Sequence, residues 1–393
     1  MQSVLYLILV ILFTKVGGHA SVKLGQPAVL GKLLVGIILG PALLGWIDLN
    51  SHFIHELAEI GVLLLMFIAG LETDLEQLKR NWKSAFAVAV AGVIFPFIGG
   101  YCSAIAFGIE HNYAVFFGVL FCATSVSISV QVLKELNQLN SREGTTILGA
   151  AVVDDVLVVV LLACIMTLLG QGSDISIGLL IGQKILFFVI MIAASIWIVP
   201  KVMKGFAYLK ITEAVMSGGL LVCFSFAYFA EYMQMAGIIG AFAAGIAISQ
   251  TPFKHKVERG AEPIAYTIFV PIFFVSIGLS VSFDGISSQI GLLLVITIIA
   301  IVTKLIGGWA GARLTGFNHR ASFAIGSGMI SRGEVALIIA STGLQSGLLL
   351  PQYFTTVVFT IIITTLVAPP LLKIMFKPAA VEERALLERE IQM

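Results

Sequence analysis

The sequence predicts an all-α polytopic membrane protein, and its composition, its apolar stretches and the placement of its charges all favour that fold class. Of the 393 residues, 59% are hydrophobic and 11% are charged, whereas soluble domains carry about 25% charged residues. The formal net charge of +1 gives no reason to expect nucleic-acid binding. We therefore expect the lipid bilayer to be the main environment of the chain.

Thirteen apolar stretches are each long enough to cross a hydrocarbon core of about 30 Å. They lie near residues 3–20, 27–46, 56–72, 84–108, 112–134, 144–170, 176–200, 211–232, 234–250, 262–282, 286–313, 320–346 and 352–376. The first lacks the preceding basic residues of a signal peptide and is interpreted as a membrane helix. Residues 1–377 are thus predicted to form one transmembrane domain, followed by a short cytoplasmic tail at 378–393.

Basic residues occur in every second connection between these spans, for example at Lys79, Arg142 and Lys254. Because cytoplasmic loops of membrane proteins are enriched in Lys and Arg, the pattern predicts an outside N-terminus and a cytoplasmic C-terminus. An odd number of spans requires the same orientation.

The glycine pattern of the second and third spans recurs about 208 residues later in the chain. The matching positions are Gly31 with Gly240, Gly36-Ile37 with Gly245-Ile246, and Gly70-Leu71 with Gly278-Leu279. Spans seven apart cross the membrane in opposite directions, so the pattern predicts an inverted repeat. Repeat one would cover 3–170, a linker helix 176–200 and repeat two 211–376. The alternative is that small residues recur only for helix packing.

Several ionisable residues lie inside the apolar spans. They are Asp154, Asp155, Lys304, Arg332 and Glu334, with Lys32 and Lys184 nearer to helix ends. A charge at the bilayer centre costs at least ~2.5–3.5 kcal/mol, so the five deep residues are candidates for a functional site. For Lys32 and Lys184 we expect side chains that extend toward the membrane interface.

Asp154 and Asp155, within GAAVVDDVLVV, are the strongest candidates. Neighbouring residues on a helix point about 100° apart, so one carboxylate can face a cavity while the other meets a different helix. Lys304, within IAIVTKLIGGW, places an opposite charge at a matching depth, where its protonation can change during a cycle. The alternatives are a carboxylate pair that only stabilises helix contacts and a permanent structural ion pair.

The fifth and twelfth spans contain polar segments at mid-span. The fifth carries CATSVSIS, with Thr124, Ser125, Ser127 and Ser129, and the twelfth carries GSGMISRGEV. Such segments can unwind where they line a cavity, which exposes carbonyl groups and helix ends to an ion. Arg332 and Glu334 are expected to neutralise those helix ends. Close packing of small residues is the alternative interpretation.

Five motifs spread over most of the chain occur together: LGQPAVLGKLLVGIILGPALLG at 24–45, EIGVLLLMFIAGLETDL at 59–75, ATSVSISVQVL at 123–133, VVDD at 152–155 and GMISRGEVALI at 328–338. In combination they resemble the monovalent cation:proton antiporter family, in its bacterial sodium/proton antiporter branch. The resemblance implies a homodimer in which a core domain, with two crossed discontinuous helices, moves like an elevator against a dimerisation domain. The crossed helices would be the fifth and twelfth spans.

The resemblance also implies roles for individual residues. Asp155 would be the ion-binding aspartate, Asp154 its partner and Lys304 the lysine that pairs with it. An Asp-Asp sequence combined with a lysine favours electrogenic exchange over electroneutral exchange. Lys32 departs from the family, in which an acidic residue is common at this position.

The sequence therefore predicts a secondary transporter, not an enzyme, that exchanges Na⁺, Li⁺ or K⁺ for protons across the bacterial cytoplasmic membrane by alternating access. The cation and protons would compete for Asp155 and Asp154, with oxygen ligands from Thr124, Ser125 and backbone carbonyls, and no cofactor is expected. One alternative is a sodium-coupled symporter of an organic anion on a related inverted-repeat fold. Another is a membrane sensor or channel that does not perform exchange.

Overall fold

A computed structural model of the chain describes residues 2–48, 51–168, 177–281 and 289–391. The described residues form eighteen α-helices and no strand. The helices are α1 (Gln2–Lys23), α2 (Ala28–Leu39), α3 (His52–Glu72), α4 (Leu75–Arg80), α5 (Trp82–Ala106), α6 (His111–Cys122), α7 (Val126–Glu135), α8 (Arg142–Leu168), α9 (Ile177–Trp197), α10 (Val199–Tyr208), α11 (Ala214–Tyr232), α12 (Gly237–Ser249), α13 (Lys254–Ile264), α14 (Val270–Leu279), α15 (Ile290–Leu314), α16 (His319–Gly328), α17 (Glu334–Gln345) and α18 (Pro351–Ile391). A five-residue π-helical turn, Ala265–Phe269, joins α13 to α14.

Ten helical segments of the described chain are long and apolar enough to cross a membrane, which identifies a multi-pass membrane protein. Three further apolar helices are shorter: Ala28–Leu39, Gly237–Ser249 and Val335–Leu344. Each of the thirteen predicted spans overlaps at least one described helix, although the number of crossings stays a prediction. The predicted boundaries at 170, 176, 282 and 286 lie outside the described residues.

The helices pack in two groups. The first helix group contains α1–α3 and α11–α14, with α9 and α10 beside α11 and α12. In it, Gly36 meets Gly278 and Gly70 meets Gly245, and a Cβ on any of these four glycines would lie 2.7–3.0 Å from the Cα of the opposing glycine. Only glycine allows backbones to approach this closely.

The second helix group contains α5–α8 and α15–α18. Here Gly100 of α5 packs against Gly118 of α6, and Gly308 of α15 packs against Gly326 of α16. Gly308 lies 208 residues after Gly100, and Gly326 lies 208 residues after Gly118. The chain thus makes the same helix contact twice at the spacing found in its glycine pattern.

Two helices of the second group are discontinuous: one is divided into α6 and α7, and the other into α16 and α17. The two cross each other at their breaks. Between α6 and α7 the backbone is extended, with φ −60° and ψ 140° at Ala123 and φ −95° and ψ 111° at Ser125. Residues 329–333 separate α16 from α17. The Ser125 N–H donates to the Ser331 carbonyl at 2.7 Å, and the Ser331 hydroxyl donates to the Ser125 carbonyl at 2.9 Å. The fifth and twelfth predicted spans are therefore both broken where their polar segments lie.

Lys184 has partners that the sequence did not predict. Its side chain is 3% exposed, and its ammonium group donates to the carbonyls of Met233, at 2.9 Å, and Gln234, just beyond α11. The last carbonyls of a helix lack intrahelical donors and attract cations. That this side chain extends toward the membrane interface stays a prediction, and the structure adds that its ammonium group binds backbone carbonyls of the connection between α11 and α12. Lys32 is half-buried, with Nζ 5.8 Å from the centre of the Phe274 ring.

Candidate ion-binding site

Asp154 on α8 and Lys304 on α15 form an ion pair inside the second helix group. The Lys304 Nζ lies 3.1 Å from Oδ1 and 3.3 Å from Oδ2 of Asp154, and both side chains are fully buried. Removing two charges from water costs more than their attraction returns unless further hydrogen bonds satisfy them. The remaining partners of the lysine therefore decide whether the pair is tolerable.

Those partners are two backbone carbonyls that their own helices leave open. The Lys304 ammonium donates to the Gly92 carbonyl at 2.8 Å and to the Cys122 carbonyl. Pro96 lies inside α5, four residues after Gly92, and has no N–H to complete that helical hydrogen bond. Cys122 is the last residue of α6, where carbonyls have no intrahelical donor. The ammonium group of Lys304 thus donates to the carbonyl that Pro96 leaves open, to the carbonyl at the end of α6 and to the Asp154 carboxylate.

Arg332 is wholly buried beside the same helix end. Its guanidinium donates to the carbonyls of Phe121 at 2.8 Å, Ala300 at 3.1 Å and Ile330 at 3.1 Å. The Thr365 hydroxyl donates in turn to the carbonyl of Arg332. Because Phe121 and Cys122 end α6, both buried cations lie at the negative end of this helix and offset its dipole.

Three buried hydroxyls lie at the break between α6 and α7. Thr124, Ser125 and Ser127 are each at most 2% exposed, and their hydroxyl oxygens lack a well-formed hydrogen bond to the described part of the chain. Thr124 lies beside the Asp154 carboxylate. A buried hydroxyl without a partner costs about 1–3 kcal/mol, so the hydroxyls of Ser125 and Ser127 are suited to bind a cation or water.

Asp155 follows Asp154 on α8 and is 3% exposed. Since neighbouring helical residues point about 100° apart, its side chain leaves α8 in a different direction from the one that meets Lys304. Glu334 begins α17, and its side chain lies outside the described residues. The structure thus brings Asp154, Lys304 and Thr124 together, and it places Asp155 next to them.

Two features of this site were missed by the sequence interpretation. Ser331 is fully buried at the crossing, where its hydroxyl lies 3.3 Å from that of Ser129, which itself donates to the Gly328 carbonyl at 2.5 Å. Gly92 supplies a carbonyl to the buried lysine. Pro96, inside an otherwise apolar helix of 25 residues, was the available signal for Gly92, because a proline frees the carbonyl four residues before it.

The donor atoms of this region are carboxylate, hydroxyl and carbonyl oxygens. Hard monovalent and divalent cations prefer such ligands over nitrogen and sulfur. With Thr124, Ser125 and Ser127 buried at one helix break and Thr124 beside Asp154, the composition of the site suits a small hard cation.

Comparison with known proteins agrees with this geometry. The family described as "Sodium/hydrogen exchanger, transmembrane" matches residues 8–377. The chain is 59% identical to the probable Na⁺/H⁺ antiporter GerT of Bacillus cereus, over 93% of this chain and 97% of the relative. It is 56% identical to the Na⁺/H⁺-K⁺ antiporter GerN of Bacillus cereus, over 94% and 95% of the two chains. A Na⁺/H⁺ antiporter of Enterococcus hirae is 44% identical over 95% and 98%.

Solved structures share the fold. The sodium proton antiporter MjNhaP1 of Methanocaldococcus jannaschii at pH 8 superposes with a TM-score of 0.67 at 15% identity, over 96% of this chain and 98% of that chain. An electron-microscopy structure of the same antiporter gives a TM-score of 0.71 at 17% identity, over 97% and 96% of the two chains. From its motifs, its fold and its relatives, the chain belongs to the sodium/hydrogen exchanger family.

Proposed function

We propose that this protein is a secondary active transporter that exchanges Na⁺, Li⁺ or K⁺ for protons by alternating access. The observation that carries the proposal is a pair of buried carboxylates, Asp154 and Asp155, of which Asp154 lies beside the buried Thr124 hydroxyl at the break between α6 and α7. The names of the relatives, all Na⁺/H⁺ antiporters and one also naming K⁺, favour exchange. They favour it over the organic-anion symporter and over the sensor or channel.

The proposed architecture has thirteen membrane crossings in the bacterial cytoplasmic membrane, with the N-terminus outside and the C-terminus in the cytoplasm. An inverted repeat is supported by two related glycine contacts: Gly36 meets Gly278, and Gly245 and Gly70, which correspond to them at offsets of 209 and 208 residues, meet each other. The second helix group would be the moving core. The first would form the dimerisation domain of a homodimer, as the family resemblance implies.

In the proposed cycle, Asp155 holds either a cation or a proton. An empty, ionised carboxylate at this depth carries the full cost of a buried charge, whereas a bound cation or proton neutralises it. Reorientation of the loaded site is therefore favoured over reorientation of the empty site. Cation movement in one direction is then coupled to proton movement in the other.

Exchange is proposed to be electrogenic because Lys304 and Asp154 form a second group that can gain and lose a proton. A cycle that moves one more proton than cations draws ~2.3 kcal/mol from each 100 mV of membrane potential. An electroneutral cycle draws nothing. A potassium gradient with valinomycin, imposed on proteoliposomes, separates the two: the proposal predicts faster exchange when the potential is set to drive net charge movement.

The direct test uses purified protein in liposomes that contain a pH-sensitive dye, with Na⁺, Li⁺ or K⁺ added outside. Wild-type protein is expected to move protons in response to at least one cation, and Asp155→Asn is expected to abolish this movement. Glu110→Gln is the matched control, because it makes the same carboxylate-to-amide change at an exposed position. Absence of cation-dependent proton movement over a broad pH range would refute exchange, and full activity of Asp155→Asn would refute the assigned site.

A further inference from the structure

A charged cluster joins the two helix groups at the end of the molecule that is predicted to face the cytoplasm. Lys134 lies in the last turn of α7, in the second helix group. Its Nζ is 2.5 Å from Oε1 of Glu72, at the end of α3, and 2.7 Å from Oε1 of Glu262 on α13. The same Nζ lies 4.6 Å from the centre of the Tyr266 ring. These four residues are the Lys134 cluster.

Other bonds between the two groups lie at the same end. Oε2 of Glu135 accepts the Ala28 N–H at 2.7 Å, at the start of α2. The Lys373 ammonium donates to the Gly25 carbonyl at 2.5 Å. These contacts tie α7 and α18 of the second group to the chain around α2. The Lys134 cluster is thus the charged part of a set of contacts that joins the two helix groups.

The cluster lies away from the candidate ion-binding site but shares a rigid element with it. Lys134 is seven residues beyond Ser127 on α7, a distance of about 10.5 Å along a helix that rises 1.5 Å per residue. Lys134 therefore cannot bind an ion held at Asp155. Because α7 begins at the helix break, a movement of the break relative to α3 and α13 has to strain or open the cluster.

The surroundings of the cluster suit repeated opening. The side chains are partly accessible, with 23% of Lys134, 18% of Glu72 and 38% of Glu262 exposed. Water can solvate all three charges as they separate, so the desolvation penalty that locks a deeply buried pair does not apply. One lysine shared by two carboxylates also gives a graded series of variants, since either acid can be removed alone.

We propose that the Lys134 cluster is a latch that holds the cytoplasmic side of the ion pathway closed, and that it opens once in every exchange cycle. This inference rests on the proposed function, because a bond between the two groups affects transport only if the groups move relative to each other. Lys134 is then a positioning residue. It touches no transported ion, but it sets the fraction of transporters whose site faces the cytoplasm.

The test compares the two faces of the membrane. When only a fraction of molecules is competent to bind from one side, the apparent affinity on that side falls by that fraction. Half-saturating Na⁺ is measured in everted vesicles, which present the cytoplasmic face, and in right-side-out vesicles. Lys134→Gln is expected to lower the ratio of the cytoplasmic to the outer value about tenfold, and Glu262→Gln about threefold.

Glu258→Gln is the matched control. Glu258 lies one turn before Glu262 on α13 and pairs with His255, 3.3 Å away, instead of with α7. Its removal is expected to leave the ratio unchanged. A variant that merely folds less well loses maximal rate in both vesicle types and does not alter the ratio, so the readout separates a latch from a structural bond.

Two results would overturn the latch while leaving the proposed function intact. One is wild-type exchange together with an unchanged ratio in Lys134→Gln. The other is a shift in Glu258→Gln as large as that in Glu262→Gln. If Lys134→Gln does not reach the membrane, Glu262→Gln decides the question, because it keeps the bond between Lys134 and Glu72. Absence of exchange in the wild type itself would instead refute the proposed function.

Discussion

Lys304 and Lys134 each hold carboxylates of distant segments, but they do so in opposite surroundings. Lys304 is fully buried within the second helix group, 3.1 Å from Asp154, and also binds two open carbonyls. Lys134 lies at the edge between the two groups, where water reaches it and its carboxylate partners. The same chemical pair therefore meets a low dielectric in one place and a high dielectric in the other.

The comparison shows how burial assigns different roles to similar ion pairs. Breaking a buried pair by removing one partner costs about 3–5 kcal/mol, because a charge is left without compensation. An exposed pair contributes about 0.2–1 kcal/mol. Lys304 is thus suited to a place where a proton or cation replaces the lost charge, and Lys134 to a contact that forms and breaks during motion.

The largest expected effect follows from removing the buried lysine. Lys304→Met leaves the Asp154 carboxylate without its counter-charge and leaves the Gly92 and Cys122 carbonyls without their donor. We expect exchange to be lost and stability to fall by about 3–5 kcal/mol, or about 10 °C in the unfolding temperature measured by intrinsic fluorescence in detergent.

The matching double variant, Lys304→Met with Asp154→Asn, buries no unpaired charge. It is expected to recover most of the lost stability without recovering exchange. A double variant as unstable as Lys304→Met would contradict the account, because the cost would then not arise from the uncompensated carboxylate.

An intermediate effect is expected from Pro96→Ala. The new backbone N–H at position 96 can bond the Gly92 carbonyl, so this acceptor no longer depends on Lys304. Loss of one hydrogen bond of about 1 kcal/mol to the ammonium is expected to slow exchange roughly fivefold while the protein stays folded. Pro200→Ala, near the start of α10, is the control. Exchange at the wild-type rate in Pro96→Ala would show that the open Gly92 carbonyl is not needed to position Lys304.

The smallest expected effect distinguishes the two lysines by their response to salt. Mobile ions screen exposed charges, and at about 0.5 M the screening length is only a few ångströms. Raising inert salt is expected to lower the ratio of cytoplasmic to outer half-saturating Na⁺ about twofold in the wild type, and to leave it unchanged in Lys134→Gln. An equal response of both proteins would place the salt effect elsewhere than at the Lys134 cluster.

The sequence predicted the all-helical membrane fold and the main charged residues because both follow from local properties. Apolar stretches reveal helices that can span a membrane, and hydroxyls and glycines at mid-span marked both interrupted helices. Depth along each span predicted that Lys304 lies level with the two aspartates, and the structure identifies Asp154 as its partner. The same local view explains why Arg332 was placed correctly beside a helix end.

The remaining contacts depend on which distant segments meet, and no local pattern encodes that. Lys134 binds carboxylates 62 and 128 residues away in the chain. Lys184 was expected to extend toward an interface because hydropathy records its depth, but its partners, the open carbonyls of Met233 and Gln234 just beyond α11, lie 49 and 50 residues away in the chain. Open backbone carbonyls near helix ends and prolines are therefore a useful signal when partners for buried lysines are sought.

The central claim is that a cation and a proton compete for Asp155, and the pH dependence of cation affinity tests it most directly. Half-saturating Na⁺ for exchange is measured in proteoliposomes at a series of pH values. Competition at one carboxylate predicts that the half-saturating Na⁺ concentration rises about tenfold for each unit by which the pH falls through the acidic range, with an unchanged maximal rate. A half-saturating Na⁺ that is independent of pH throughout the active range would contradict the claim.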